Sequence, residues 1–269
     1  MSLRVQTLTS RENPLVRRIR RLLQKPTAYR QAAEVWIEGD HLARAWLDRP
    51  GDASTRTADA AVALITEPAW HERLDLRALA QRVGDVAVVP VGLMAQLSAL
   101  ESPPALGLLV PWSPMPQAAL RTDACAVVLD RLQDPGNVGS ILRSAAAMGV
   151  PQVVALQGTV ALWSPKVLRA GMGAHFGLAL HEGWSEEALC GAGLPLVVTS
   201  SHEAQELQRA EWPAHGAWVF GHEGQGVAER LLSAAAARVC IPQPGGQESL
   251  NVAAAAAICL YEVLRRSRA

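Results

Sequence analysis

The chain has 269 residues, of which 49% are hydrophobic, with 25 basic and 25 acidic side chains in balance. That length buries one large core or two modest ones, and two domains are expected. No apolar run approaches the roughly 20 residues that cross a bilayer, and the first ten residues hold no signal-peptide core, so the reading is a cytoplasmic protein with no membrane partner.

Cys125, Cys190, Cys240 and Cys259 are scattered, with no pair at the two-residue gap of a zinc or redox site. They sit among apolar neighbours and read as small buried hydrophobes in a reducing compartment. The seven histidines form no HxxxH or HxH cluster, so no metal site is expected.

The charge is balanced in sum but not in place. Residues 1–30 carry eight bases, Arg4, Arg11, Arg17, Arg18, Arg20, Arg21, Lys25 and Arg30, against Glu12, a net of +7. The other 239 residues hold 17 bases against 24 acids, a net of −7. Such a basic leader suits a phosphate-binding arm, since each cation that neutralises a phosphate releases condensed counterions. It also reads as a solvated amphipathic helix whose apolar side, Leu15, Ile19, Leu22 and Leu23, docks on its own domain, and one helix can do both.

Beyond it, strands are expected at Val35–Ile37, Ala61–Ile65, Val86–Val89 and Leu106–Val110, with helices over 40–48, 69–82 and 92–99. Pro103-Pro104 and then Pro111-Trp-Ser-Pro-Met-Pro116 interrupt regular structure, because proline lacks the amide donor and restrains its predecessor. The chain accordingly divides into a small α/β domain over 1–105, a proline-rich linker over 106–122 and a second domain over 123–269. In the second domain, strands are expected at 125–130, 152–156, 177–181, 195–199, 217–221 and 238–242. Helices are expected over 137–148, 164–172, 185–191, 203–209, 227–237 and 250–266. Alternation of this kind gives a parallel sheet covered on both faces.

Three segments stand out: Asp134-Pro-Gly-Asn137-Val-Gly139-Ser-Ile141-Leu-Arg143-Ser-Ala145-Ala-Ala-Met-Gly149, then Phe220-Gly221-His-Glu223-Gly224-Gln-Gly226, then Ile241-Pro-Gln-Pro-Gly-Gly-Gln-Glu-Ser249-Leu250-Asn251. The first reads as a turn followed by an N-cap at Asn137. The helix after it places Val138, Ile141, Leu142, Ala145, Met148 and Gly149 on one buried face and turns Arg143 outward. The glycines of the second make a tight turn or let a ligand approach the backbone. A buried Glu223 there would need partners, with Arg143 and Asn137 as candidates. In the third, Ser249 reads as the N-cap of the last helix, without a capping-box partner at position 252.

In their order and spacing, these three segments resemble the signature motifs of the SpoU/TrmH family of RNA ribose 2'-O-methyltransferases, which use S-adenosylmethionine. The resemblance implies a catalytic domain of the SPOUT type, an α/β fold with a parallel sheet tied into a deep trefoil knot, and a homodimer formed through that domain. It implies catalytic roles for Asn137, Arg143, Glu223, Ser249 and Asn251. A guanidinium does not release its proton in a protein, so Arg143 is read as orienting the hydroxyl and stabilising the developing alkoxide, with an RNA phosphate sharing in proton removal. Thr199, Ser200, Gly221, Gly224, Ile241, Ser249, Leu250 and Asn251 are the implied cofactor contacts.

Arg11-Glu-Asn-Pro-Leu-Val and Ile37-Glu-Gly-Asp-His-Leu resemble the substrate-binding domain that precedes the catalytic one in many members, a fold similar to a ribosomal RNA-binding protein. The implied RNA contacts are Arg17, Arg18, Arg20 and Arg21, joined by Lys166 and Arg169 in a segment that resembles rRNA-directed members. The two-domain layout favours ribosomal over transfer RNA as the partner. A dinucleotide-dependent oxidoreductase is disfavoured, because Gly171-Met-Gly173-Ala-His-Phe-Gly177 has one residue too many and no preceding strand. A non-catalytic RNA-binding or ribosome-assembly protein remains the rival, and it would have no need of the cofactor loop.

Overall fold

The computed structural model describes residues 3–49, 61–200, 204–245 and 249–268. They form two compact units, one of residues 1–113 with 163–176, the other of residues 114–162 with 177–269. No described helix is long and apolar enough to cross a membrane.

The first unit is built on β1 (Arg4–Thr7), α1 (Pro14–Gln24), α2 (Ala28–Ala32), β2 (Glu34–Glu38), α3 (Asp40–Leu47), β3 (Val62–Thr66), α4 (Glu67–Glu72), α5 (Leu74–Val83), β4 (Asp85–Val89), α6 (Val91–Ala95) and β5 (Leu106–Pro111). Its five-stranded mixed sheet runs β1-β4-β3-β5-β2. β5 pairs antiparallel with both β2 and β3, so Leu106–Pro111 is an inner strand of this sheet and not the start of a linker. Pro103-Pro104 lie just before that strand, and Pro111 ends it. Trp36 of β2 crosses Gly107, where a Cβ would lie 2.3 Å from the indole, and its Nε1 donates to the Leu97 carbonyl at 2.9 Å.

Asn13 caps α1 by accepting the Leu15 amide, and Leu15, Val16, Ile19 and Leu22 are buried beneath it. β1 was not expected from the sequence: it is four residues long with one strongly apolar side chain, Val5, and all four residues are exposed. The expected helix over 69–82 is two helices, because Arg73 leaves helical backbone at φ −107° and ψ 86°. Within the same unit, α8 (Pro165–Gly171), counted in chain order after α7 (Pro135–Ala147), packs against β2.

The second unit comprises β6 (Ala126–Asp130), α7, β7 (Gln152–Leu156), β8 (Ala179–Trp184), α9 (Glu186–Cys190), β9 (Leu196–Thr199), β10 (Gln205–Glu206), β11 (Ala217–Gly221), α10 (Glu229–Ser233), β12 (Ala235–Cys240) and α11 (Val252–Ser267). All pairings of its seven-stranded sheet, ordered β10-β12-β9-β11-β6-β7-β8, are parallel. β6 and β7 are buried along their whole length, as strands covered on both faces must be.

Two expected helices are corrected. Residues 204–209 of the expected 203–209 helix contain the short edge strand β10, and residue 203 lies outside the described residues. The 227–237 helix shrinks to α10, and Ala235–Ala237 join β12 beside β9, with the register shifting between Ala235 and Ala237. Sheet pairing there overrides alanine's helical preference. Of the cysteines only Cys259 is buried, where desolvation pushes its thiol up to about 12; Cys190 is exposed at the end of α9, and Cys125 and Cys240 are half-buried. The reading of all four as core residues is corrected accordingly.

Candidate active site

The second unit's chain turns in opposite directions after two adjacent strands. β6 leads through α7 to β7 on one side, while β11 leads through α10 to β12 on the other. Parallel sheets bind ligands at such divergent carboxyl ends, because the departing loops leave a crevice there. Residues 131–137 line it from β6 and residues 221–228 from β11.

Asp134, not Asn137, caps α7: its carboxylate accepts the Asn137 amide at 2.7 Å, with Pro135 at the start of the helix. Asn137 therefore sits inside the first turn with its side-chain amide free for other partners. The buried face of α7 is Val138, Gly139, Ile141, Leu142 and Ala145; Met148 is the C-cap and Gly149 is exposed at φ 76°, so its glycine serves the left-handed exit from the helix and not the core.

The β11 loop folds back on itself. A Cβ at Gly221 would stand 2.3 Å from the Val227 nitrogen, so this position admits only glycine. His222 pairs with Gly226 across the loop, and its Nδ1 accepts the amides of Gly224 and Gln225 at 3.0 and 3.2 Å, which places the ring proton on Nε2. Glu223 accepts the Asn137 side-chain amide at 3.1 Å and the backbone amides of Gln133 and Asp134, each at 3.3 Å. Burial alone would raise its pKa, but the Asn137 bond and these amides outweigh it and hold the carboxyl below its ordinary value. Glu223 is exposed, not buried, and of its two expected partners it takes Asn137.

The third segment adds Asn251. Its Oδ1 caps α11 by accepting the amides of Ala253 and Ala254, and its Nδ2 donates to Asn137 Oδ1 at 2.9 Å. The N-cap is thus Asn251 and not Ser249, whose exposed hydroxyl makes no hydrogen bond among the described residues. Residues 246–248 of this segment lie outside the described residues. Glu223, Asn137 and Asn251 form one hydrogen-bonded chain linking three loops.

The expected cofactor contacts gather at neighbouring strand ends. β9 lies between β11 and β12, so Thr199–Ser200, Gly221–Gly224 and Ile241 leave the sheet side by side. The Thr199 hydroxyl donates to the Val219 carbonyl at 3.0 Å and the Ser200 amide to the Val239 carbonyl at 3.0 Å, so both brace the sheet and the hydroxyl's one proton is already committed. Leu250 is 39% exposed, an apolar surface offered beside polar loops. With the carboxylate of Glu223 facing the same crevice, these residues fit a cationic nucleoside such as S-adenosylmethionine: a leucine for the base and an anion to favour the positive charge.

Arg143 stands apart from this chain. It is exposed on the outer side of α7, about 9 Å along the axis from Asn137, with no hydrogen bond or ion pair among the described residues. In the first unit Arg17 and Arg21 are exposed on α1, Arg18 pairs with Glu34 at 2.9 Å, and Arg20 and Arg21 bond Gln96 and Gln31. Lys166 is exposed, whereas Arg169 faces the buried carboxylate of Glu38 at 3.6 Å and is not presented as a phosphate ligand. Sequence reasoning missed Asp130, Arg131 and His222. The signal for His222 was a nitrogen-bearing ring directly after Gly221 in the glycine-rich loop; nothing in the sequence marked Asp130-Arg131.

A model of the SpoU rRNA methylase family matches residues 124–261. An uncharacterized tRNA/rRNA methyltransferase of Synechocystis sp. is 33% identical over 270 residues, covering 97% of this chain and 94% of that one. The 23S rRNA (guanosine(2553)-2'-O)-methyltransferase RlmP of Bacillus subtilis is 33% identical over 153 residues, 55% of this chain and 61% of that one. An AdoMet-bound rRNA methyltransferase from Sinorhizobium meliloti superposes with a TM-score of 0.80 at 25% identity, over 97% of this chain and 98% of that one.

Proposed function

This chain belongs to the SpoU rRNA methylase family, enzymes that move a methyl group from S-adenosylmethionine to a ribose 2'-hydroxyl of RNA, and we propose that its RNA is ribosomal. The observation that carries the site assignment is the hydrogen-bonded chain Glu223–Asn137–Asn251, which ties the first turn of α7 to the two loops assigned to the donor.

The bound donor supplies a methyl group on a positively charged sulfur, whose departure as a neutral thioether needs no acid. What the protein must do is hold the attacking oxygen in line and exclude water. Asn137, fixed at both ends, and the hydroxyl of Ser249, which makes no hydrogen bond among the described residues, orient the sugar. Glu223, anionic at neutral pH, favours the cation. Arg143 holds an RNA phosphate and stabilises the developing alkoxide, and that phosphate shares in taking the hydroxyl proton.

The same reading makes the first unit a substrate-binding domain similar to a ribosomal RNA-binding protein, with the exposed Arg17 and Arg21 of α1 and Lys166 as its phosphate contacts, and the cytoplasm as its place of work. It includes a trefoil knot in the second unit, supported by the return of β12 to the far side of β9 and by the packing of α11 on α7. It also includes a homodimer through that unit, supported by an outward stripe of α11 in which Ile258 and Tyr261 are 41% and 57% exposed.

The test is transfer of labelled methyl from S-adenosylmethionine to purified ribosomal and transfer RNA, followed by alkaline hydrolysis. Alkali cleaves through a free 2'-hydroxyl, so ribose methylation leaves labelled dinucleotides. These are expected from ribosomal RNA. Label confined to transfer RNA would overturn the choice of substrate, and label on bases alone would overturn the site chemistry.

A further inference from the structure

Arg131 follows β6 with φ at 60°, one of three non-glycine residues in the left-handed region among those described. An L residue holds that conformation at a cost, and such strain persists only where the surroundings over-determine it. Here they do. The Arg131 amide donates to Thr159 Oγ1 at 3.1 Å, and that hydroxyl donates onward to the Leu129 carbonyl at 2.8 Å.

The side chain uses every edge of its guanidinium. Nε and Nη2 donate to the two oxygens of Asp130 at 2.8 and 3.0 Å, Nη1 donates to Gln225 Oε1 at 3.0 Å, and Nη2 also reaches the Gly226 carbonyl at 3.3 Å. Asp130 is fully buried, and its Oδ2 accepts the Ala228 amide at 2.8 Å. The charge pair at the end of β6 therefore grips the returning arm of the 221–228 loop at Gln225, Gly226 and Ala228, while Glu223 on the outgoing arm is held by Asn137. A left-handed backbone aims the side chain across the crevice at that arm.

We infer that Arg131, braced by Asp130, is a positioning residue that sets the 221–228 loop for the methyl donor. This rests on the assignment of that loop to the donor. A glycine at this position would relieve the backbone but leave Asp130 buried without its cation and the Gln225–Gly226 arm unheld. A lysine brings a single point of charge that cannot span the carboxylate, the amide and the carbonyl together.

The experiment titrates S-adenosylmethionine calorimetrically into the full-length wild type, Arg131→Gly, Arg131→Lys and Gly224→Leu, and measures donor and RNA KM for each. Gly224→Leu blocks the loop's tip, where a Cβ would meet only the His222 ring at 3.8 Å, without touching the anchor. Expected are a donor Kd at least tenfold weaker in Arg131→Gly, a partial loss in Arg131→Lys, and an RNA KM within twofold of wild type in both. Donor binding by Arg131→Gly within twofold of wild type, with Gly224→Leu impaired, would overturn the inference alone. Normal binding by Gly224→Leu as well would overturn the assignment of the loop. A rise in RNA KM equal to that of the donor would make Arg131 a general structural prop and overturn its role as a donor-positioning residue.

Discussion

Asn137 has one orientation open to it. Glu223 is an ionised acceptor and can face only the Nδ2 of Asn137; Oδ1 then points at Asn251, which must offer its own Nδ2 because its Oδ1 is taken by two helix amides. The amide directions are thus fixed by a carboxylate at one end and backbone donors at the other. Asn137→Asp replaces the donor with a second carboxylate against Glu223. At neutral pH like charge and the lost bond should lower kcat/KM by about 10²-fold. Acid should restore part of the loss, because one of two apposed carboxyls keeps its proton. The wild type should not gain on acidification: its Glu223 pKa is depressed, so the interaction is complete above the ordinary value and is lost only as pH falls through the folded one. A pH–rate profile for Asn137→Asp parallel to that of the wild type would refute this coupling. In the sequence Asn137 looked like a cap because asparagine and aspartate both cap, and only the position of the first helical turn decides between them.

Strands buried on both faces were legible as continuous apolar runs, so β6, β7 and β11 fall within one residue of expectation. What hid from the pattern was set by partners distant in sequence: β1 has no buried residue, and the alanines of β12 become strand only because β9 lies alongside. The segment from Trp163 to Phe176 likewise belongs to the first unit although the second surrounds it in sequence, through contacts such as Arg169 with Glu38 that no local signal announces. α11 shows the same dependence at its last turn. Glu262 is bonded by Arg265 and Arg266, which hold its carboxyl at about 2, and Arg266 in turn donates to the carbonyls of Leu207, Gln208 and Ala210 and lies 3.7 Å over Trp212. Its folded pKa lies below 4.5, so this ionisation stabilises in full above that value and the effect fades as pH falls toward about 2. Glu262→Gln should therefore lower the unfolding temperature of the protein by about 2–4 °C at pH 7. The gap to wild type should narrow by roughly half or more near pH 3. A gap independent of pH would mean that shape, not charge, holds this turn.

At the scale of the molecule the charge separation takes a specific form. The net +7 of residues 1–30 is not a free arm, because α1 is docked by Leu15, Val16, Ile19 and Leu22 and β1 pairs with β4. Burying four such side chains contributes on the order of 6–12 kcal/mol, comparable to the whole stability of a domain. Deleting residues 1–30 would unfold the first unit and say nothing about RNA. Substitution of exposed charges separates binding from folding. Arg18 already faces Glu34, so its charge is partly committed, and Arg20 is half-buried against the neutral Gln96, whereas the exposed Arg17 has no partner among the described residues and the exposed Arg21 has only a neutral one, Gln31. Each phosphate contact contributes about 0.7–0.9 to the slope of log K against log salt. Arg17→Ala combined with Arg21→Ala should thus lower the slope for ribosomal RNA by about 1.4–1.8, with S-adenosylmethionine affinity and the unfolding temperature unchanged. The matched pair Arg18→Ala with Arg20→Ala should lower it less while costing stability. Equal slopes for the wild type and the Arg17, Arg21 double variant would remove α1 from the RNA-binding surface.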